Sequence, residues 1–193
     1  MDEIRIYFEG APALKPGFAK FFEELRACAR AKGIPFRPVA GGGRVVQDFG
    51  IAIRRHRSAW NILLKDSEGP LAPDASITLC RQQHWDTSHA DSIFWMVEMM
   101  ESWFHADKEM LGKFYRDLKV NALKPNPNVE EISKRDLELG LKAATKDTTK
   151  GTYHKTAHAP KLLEMIRPEK VRAAAPNCDR FFRTVSEGLI GAQ

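Results

Sequence analysis

Cysteine is scarce in this chain and poorly placed for chemistry. Cys28, Cys80 and Cys178 are the three in 193 residues, and they lie far apart. The number is odd and no two form Cys-x-x-Cys. A disulfide framework and a thiolate zinc site therefore drop out, leaving small buried or half-buried thiols. His84 and His89 likewise lack neighbours at a recognisable zinc-ligand spacing. No apolar run approaches the roughly 20 residues that span a bilayer. Internal repeats and low-complexity segments are missing. The start, Met1-Asp2-Glu3-Ile4, is acidic, whereas a secretory leader starts basic and then turns apolar. The expectation is a cytoplasmic protein with no membrane partner.

What is present is ordinary globular material: 43% apolar and 28% charged residues. A chain of 193 residues can bury a core without staples and reads as one domain. The net charge of +5 and a pI of about 9.2 permit contact with nucleic acid. The basic residues gather in two groups. One is Arg54-Arg55-His56-Arg57. The other is Lys142, Lys146, Lys150, Lys155 and Lys161, with His154 and His158. Ordinary solvated faces produce the same pattern.

Along the chain, strand and helix signals alternate. Ile4–Phe8 reads as a short strand, and Phe18–Ala31 carries apolar residues at helical spacing before Gly33-Ile34-Pro35. Phe36–Ala40 reads as a second strand. Gly41-Gly42-Gly43 opens a helix from Arg44 to about His56, and Trp60–Leu64 is a third strand. Residues 71–90 carry no clear signal. Ile93–Met100 is apolar on both faces, as in a central buried strand, with a buried helix as the alternative. Ser102–Tyr115 looks helical, Asn121–Asn128 is a loop, and Ser133 starts a further helix. Lys146–His158 reads as exposed. Pro160, Pro168 and Pro176 are placed to begin or separate short helices in 159–190. The expected architecture is α/β: a mostly parallel central sheet flanked by helices (1–118), then a basic loop and helical portion packed on it (119–193).

Four carboxylates stand where chemistry gathers in such a sheet. Glu9, Asp66, Glu68 and Glu101 each follow the end of a predicted strand. Ligands collect at the carboxyl edge of an open parallel sheet. Acids converging there repel one another and need a cation. Mg²⁺ or Mn²⁺ suits oxygen ligands and is often held by carboxylates plus a phosphate. Such an ion polarises a phosphoryl oxygen and activates water. Acids at strand ends also serve as ordinary caps and turn formers. Lys155 or Arg44 is placed to offset charge on a phosphate, and His154 to act as a proton donor. Lys146, Lys150 and His158 are candidate phosphate contacts beside them. Gly41-Gly42-Gly43-Arg44 could cradle phosphate, but no Gly-Lys-Ser/Thr follows, so it is no Walker motif.

Several blocks carry a resemblance. Ile6–Gly10, Gly41–Arg44 and Leu63–Glu68 resemble the first half of a Toprim-like fold. Met96–Phe104 with Ala106-Asp107, Asn126–Ile132, Gly140–Thr145 and Lys150–Lys155 resemble a bacterial family, domain-of-unknown-function family 4276. The similarity runs from Ile4 to about Phe182. The resemblance implies kinship with Toprim nucleases of the overcoming-lysogenization-defect type and other prokaryotic defence proteins. It also implies a neighbouring gene for an ABC-type ATPase as partner. In Toprim enzymes a first-strand Glu and a later Asp-x-Asp hold Mg²⁺. Glu9 and Asp66 match two of these positions. Glu68 replaces the second Asp, keeping the carboxylate and lengthening its reach, and Glu101 is a further strand-end acid. The expectation is a Mg²⁺-dependent nuclease or phosphoryl-transfer protein. The alternative is a non-catalytic module that docks an ATPase or nucleic acid. A phosphatase with a closed pocket is a third reading.

Overall fold

The computed structural model describes residues 1–191. Four strands, β1 (Glu3–Phe8), β2 (Phe36–Ala40), β3 (Ala59–Asp66) and β4 (Ile93–Met96), form one sheet in the order β2-β1-β3-β4. Every pairing is parallel. Parallel neighbours need a crossover, and helices supply each one. α1 (Lys15–Phe21) and α2 (Glu23–Ala31) join β1 to β2, α3 (Val45–Arg55) joins β2 to β3, and α4 (Ala75–Gln82) joins β3 to β4. Six helices follow: α5 (Ser102–Ala106), α6 (Lys108–Phe114), α7 (Lys134–Thr145), α8 (Lys155–Met165), α9 (Pro168–Ala174) and α10 (Pro176–Gly191). This is the expected α/β architecture with its helical C-terminal part.

The strand period of two divides the side chains between unequal faces. Ile4, Ile6, Phe8, Ile62, Leu64, Phe94 and Met96 join a large core that continues through α1, α2, α5 and the later helices to Leu189. Tyr7, Leu63, Ile93 and Trp95 join a smaller one under α3 and α4. Phe21 stacks on Trp103 at 4.8 Å and meets Phe182 edge-on at 5.6 Å, so the first and last helices share one aromatic cluster. α1 and α8 touch closely because Gly17 has no Cβ. One placed there would sit 2.8 Å from Leu163 Cβ.

Several local expectations give way. The apolar run at 93–100 is a strand only to Met96, and β4 is an edge strand rather than a central one. Its side chains are buried because α10 covers one face and the α4 layer the other, and a covered edge has the same apolar pattern as a centre. Residues 71–90, unassigned from sequence, contain α4 and a six-residue 3-10 stretch at Thr87–Ser92. The helix expected over 18–31 starts earlier, at Lys15, and is interrupted at Phe22. The one expected over 102–115 divides at Asp107, whose side chain caps the second piece. Pro168 and Pro176 begin helices as expected, but Pro160 lies inside α8, where its missing N–H falls on the exposed first half of the helix. The stretch 146–158 is exposed only in part, since Thr148 and Tyr153 are buried. The three cysteines are free, Cys28 half-buried and the other two buried.

Candidate metal centre at the carboxyl edge of the sheet

β1 and β3 run side by side with Phe8 opposite Leu64, and β3 continues two residues further, so Glu9 and Asp66 emerge at the same edge. Glu9 Oε2 accepts the Asp66 backbone N–H at 3.2 Å, which ties the two ends. Glu68 follows two residues on with φ +62, a left-handed conformation that costs a non-glycine residue energy. The turn after β4 explains how that conformation is held. Glu98 also has φ +61, and the Met99 N–H donates back to Val97 C=O at 2.8 Å across it. The Glu68 N–H donates to Glu98 C=O at 3.0 Å, and the Glu98 N–H donates to Ser67 Oγ at 2.7 Å. Two strained residues therefore brace each other, and ligand sites are where such strain collects.

The result is a compact set. One ligand oxygen from each of Glu9, Asp66 and Glu68 lies within 4.8 Å of the others. The pocket holding them, of about 320 Å³, is completed by Gly10, Ala11, Leu14, Gly42, Gly43, Met100 and Lys155. The glycine turn after β2 thus reaches the acids. Gly42 has φ +51, and its N–H donates to Gly10 C=O at 3.0 Å. The donor set is all oxygen and suits a hard cation such as Mg²⁺ or Mn²⁺.

Asp66 is the centre of this set. It is 5% exposed, and its Oδ1 accepts the Met100 N–H at 2.9 Å. Burial pushes its pKa up to about 7, against the pull of Lys155, with the Glu101 and Glu9 charges adding to the rise. Lys155 offsets only part of the effect of burial, and a cation at the acids would offset more of it.

Three lysines face the acids, each from a different element. Lys65 Nζ of β3 stands 3.7 Å from Glu9 Oε2 and over the Trp95 ring at 5.0 Å. Lys134 Nζ, at the start of α7, pairs with Glu68. Lys155 Nζ, at the start of α8, lies 3.9 Å from Asp66 Oδ2 and 3.4 Å from Glu101 Oε2. Glu98 Oε2 accepts the Lys134 N–H at 2.8 Å and so docks α7 on the edge.

Glu101 is placed differently from the other three acids. It lies outside the 4.8 Å set and is 1% exposed. Its Oε1 accepts the Tyr153 hydroxyl at 2.9 Å, and its Oε2 faces Lys155. Burial, then the Glu101 charge, pushes the Tyr153 hydroxyl far above its ordinary range, so it acts as a donor. Tyr153 is itself fixed by its backbone N–H donating to Thr145 Oγ1 at 2.6 Å. Glu101, Lys134, Lys142, Tyr153, His154 and Lys155 belong to an adjoining pocket of about 280 Å³ that shares Lys155 with the first.

Of the residues singled out from sequence, the fold brings together Glu9, Asp66, Glu68 and Lys155, with Glu101 and His154 beside them. It does not bring Arg44, Lys146, Lys150 or His158 into either pocket. Arg44 and Lys146 are exposed, and Lys150 lies over the Phe114 ring at 4.6 Å. His158 packs among Phe114, Tyr115 and Tyr153. Its Nδ1 accepts the His154 backbone N–H at 3.2 Å, which fixes a neutral ring protonated on Nε2, and Tyr115 Oη approaches the same nitrogen at 2.7 Å. Sequence reasoning passed over Lys65, Lys134 and Glu98. Lys65 had one signal, its position beside Asp66 at a strand end. The other two had none, because a turn and a helix start distant in sequence place them.

A family model described as a domain of unknown function, DUF4276, matches residues 12–186. The chain belongs to that family. Asp66, Glu68, Glu101 and Lys155 lie within the DUF4276 match and Glu9 just before it. No curated protein and no solved structure matches the chain. No helix among the described residues is long and apolar enough to cross a membrane.

Proposed function

We propose that this DUF4276 protein is a divalent-cation-dependent phosphoryl-transfer enzyme, with nucleic-acid phosphodiesters as the substrate class. The observation that carries the reading is the convergence of Glu9, Asp66 and Glu68 within 4.8 Å around an aspartate whose pKa is raised to about 7. Mg²⁺ or Mn²⁺ would be held by these three carboxylates, and when bound it supplies Lewis acidity and activates water. The protein's own groups do the rest. The Met100 N–H fixes Asp66, the Glu98 turn fixes Glu68, and Lys65 steadies Glu9. Lys155 and Lys134 are half-exposed amines at helix starts, able to turn from carboxylate to phosphate oxygens once a cation occupies the acids. His154 stands at the neighbouring pocket wall as a proton donor for a leaving oxygen. A Toprim-like core, a phage-defence setting and an ABC-type ATPase partner complete the proposal. These rest on the family resemblance alone.

One observation favours a second reading. Each acid of the set already has a facing lysine. A docking module with internally balanced charge, binding an ATPase or nucleic acid without cleaving it, would look the same. Calorimetric titration of Mn²⁺ separates the two. Binding by the wild type and its loss in Asp66→Ala are expected, followed by Mn²⁺-dependent cleavage of nucleic acid. A wild type that takes up no Mn²⁺, with or without oligonucleotide, overturns the enzyme reading and leaves the module.

A further inference from the structure

The arginine group at 54–57 plays no part at the acidic edge, yet it has a defined place. α3 runs from the carboxyl edge of the sheet back to its amino edge, so Arg54 and Arg55 close the helix and Arg57 follows it. There the chain meets the segment after α4. Ile53, Arg54, Arg57, His84, Trp85, Asp86 and His89 line a pocket of about 430 Å³. Two guanidinium groups and two imidazoles face one carboxylate. Asp86 is already engaged, its Oδ1 accepting the Ser88 N–H at 2.8 Å.

Among the described residues, neither Arg54 nor Arg57 has an acidic partner. The Arg57 Nε–H donates to Arg54 C=O at 3.2 Å. Lacking an acid does not by itself set them apart. Arg5, Arg26, Arg167 and Arg172 pair with Glu3, Glu23, Asp107 and Asp179, whereas Arg44, Arg81, Arg116 and Arg135 pair with no acid among the described residues. What distinguishes Arg54 and Arg57 is the recess they share with Trp85. A helix dipole accounts for cations at the end of α3, but not for Arg57 beyond it or for the two histidines. The aromatic wall is rigid. Trp85 is edge-on to Phe49 at 5.2 Å and lies against Gly50, where a Cβ would come within 2.8 Å of Cζ2. His84, just before it, is held at φ +55.

We propose that this pocket grips single-stranded nucleic acid, with phosphates on Arg54 and Arg57 and a base against Trp85. Unpaired guanidinium groups suit phosphate. A half-buried indole in the same recess suits a base face, which a duplex does not offer. The grip shares no lining residue with the acidic pocket and lies toward the other end of α3. It stands whether or not that edge binds metal.

Fluorescence anisotropy of a labelled single-stranded oligonucleotide, measured on the full chain in EDTA, tests it without metal. The double variant Arg54→Gln/Arg57→Gln should bind at least tenfold more weakly. Its dependence of log K on log salt should flatten by about 1.4, two contacts at 0.7 each. Trp85→Phe, which keeps a ring on Gly50, should lose the quenching of indole emission that accompanies binding. Unfolding midpoints confirm that both variants are folded. A wild type that does not bind overturns the proposal. So does a double variant with wild-type affinity and slope, or displacement by polyglutamate as readily as by unlabelled oligonucleotide. The Mn²⁺ titration is untouched by any of these results, so the two readings fail separately.

Discussion

Asp66 and Asp107 are both withdrawn from water, at 5% and 1% exposure, and they are built in opposite ways. Asp107 is full. Its Oδ1 accepts the Met110 N–H at 3.3 Å and Arg167 Nη2 at 2.7 Å, and its Oδ2 accepts the Arg167 backbone N–H at 3.0 Å and Nε at 2.9 Å. Burial alone would raise its pKa, but these donors outweigh burial and hold it below the ordinary carboxylate value. Asp66 has one backbone donor and a lysine 3.9 Å away, and burial pushes it up to about 7. The first aspartate is a brace that ties α6 to the start of α9. The second is a buried acceptor left short of donors, in company with two more acids. A carboxylate with every acceptor filled explains itself, whereas one held short calls for a partner from outside.

Removing the brace should have the largest effect. Arg167→Ala leaves buried Asp107 with only the Met110 and Arg167 backbone N–H donors and should destabilise the fold, read as a lower urea midpoint. An unchanged midpoint would erase the contrast. Asp66→Asn should do the reverse. It keeps an acceptor for the Met100 N–H and removes a charge that the fold holds at a cost. At pH 8 a gain of about 2–4 kcal/mol is expected, from 1.36 kcal/mol per pKa unit over the ordinary value. The signs follow from proton linkage. The stability that Asp107 adds is present above the ordinary carboxylate range and lost as pH falls through its depressed folded value. For Asp66, the folded state keeps a proton that the unfolded chain has released between about pH 4 and 7, so stability falls as pH rises through that window. Urea midpoints across pH 3–8 should show both slopes in the wild type and only the acid one in Asp66→Asn.

Mn²⁺ sharpens the comparison further. At a hundredfold excess over its Kd it should add about 2.7 kcal/mol to the wild type and nothing to Asp66→Asn. A variant still stabilised would move the ligand elsewhere. Tyr153→Phe, the mildest change, takes one donor from buried Glu101 and should cost about 1–2 kcal/mol with Mn²⁺ affinity kept. Lost Mn²⁺ affinity would instead bring Glu101 into the ligand set.

Much of the acidic edge was legible because it depends on strand ends. Ile4–Phe8 and Trp60–Leu64 are β-rich and short, and the acid after each must fall at the carboxyl edge once the strands are parallel. Glu101 sits apart from the other three acids for a local reason. The run Ile93–Met100 hides a turn at Glu98, so Glu101 does not continue a strand end but starts α5, one layer behind the edge. For His158 and Lys150 the sequence shows charge but not the rings of Phe114 and Tyr115 that the fold sets beside them.

The sequence by itself determined the alternation of strand and helix, the parallel sheet and the acids on its edge. Each of these follows from local periodicity and from chain geometry within one crossover. Only the tertiary structure decided which carboxylates meet and which lysine faces each one. It alone made Asp66 a buried group short of donors and Asp107 a satisfied one. Burial and the count of donors around an oxygen are sums over neighbours from many parts of the chain. Here α6, α7, α8 and the start of α9 supply them, and no spacing along the sequence records that sum.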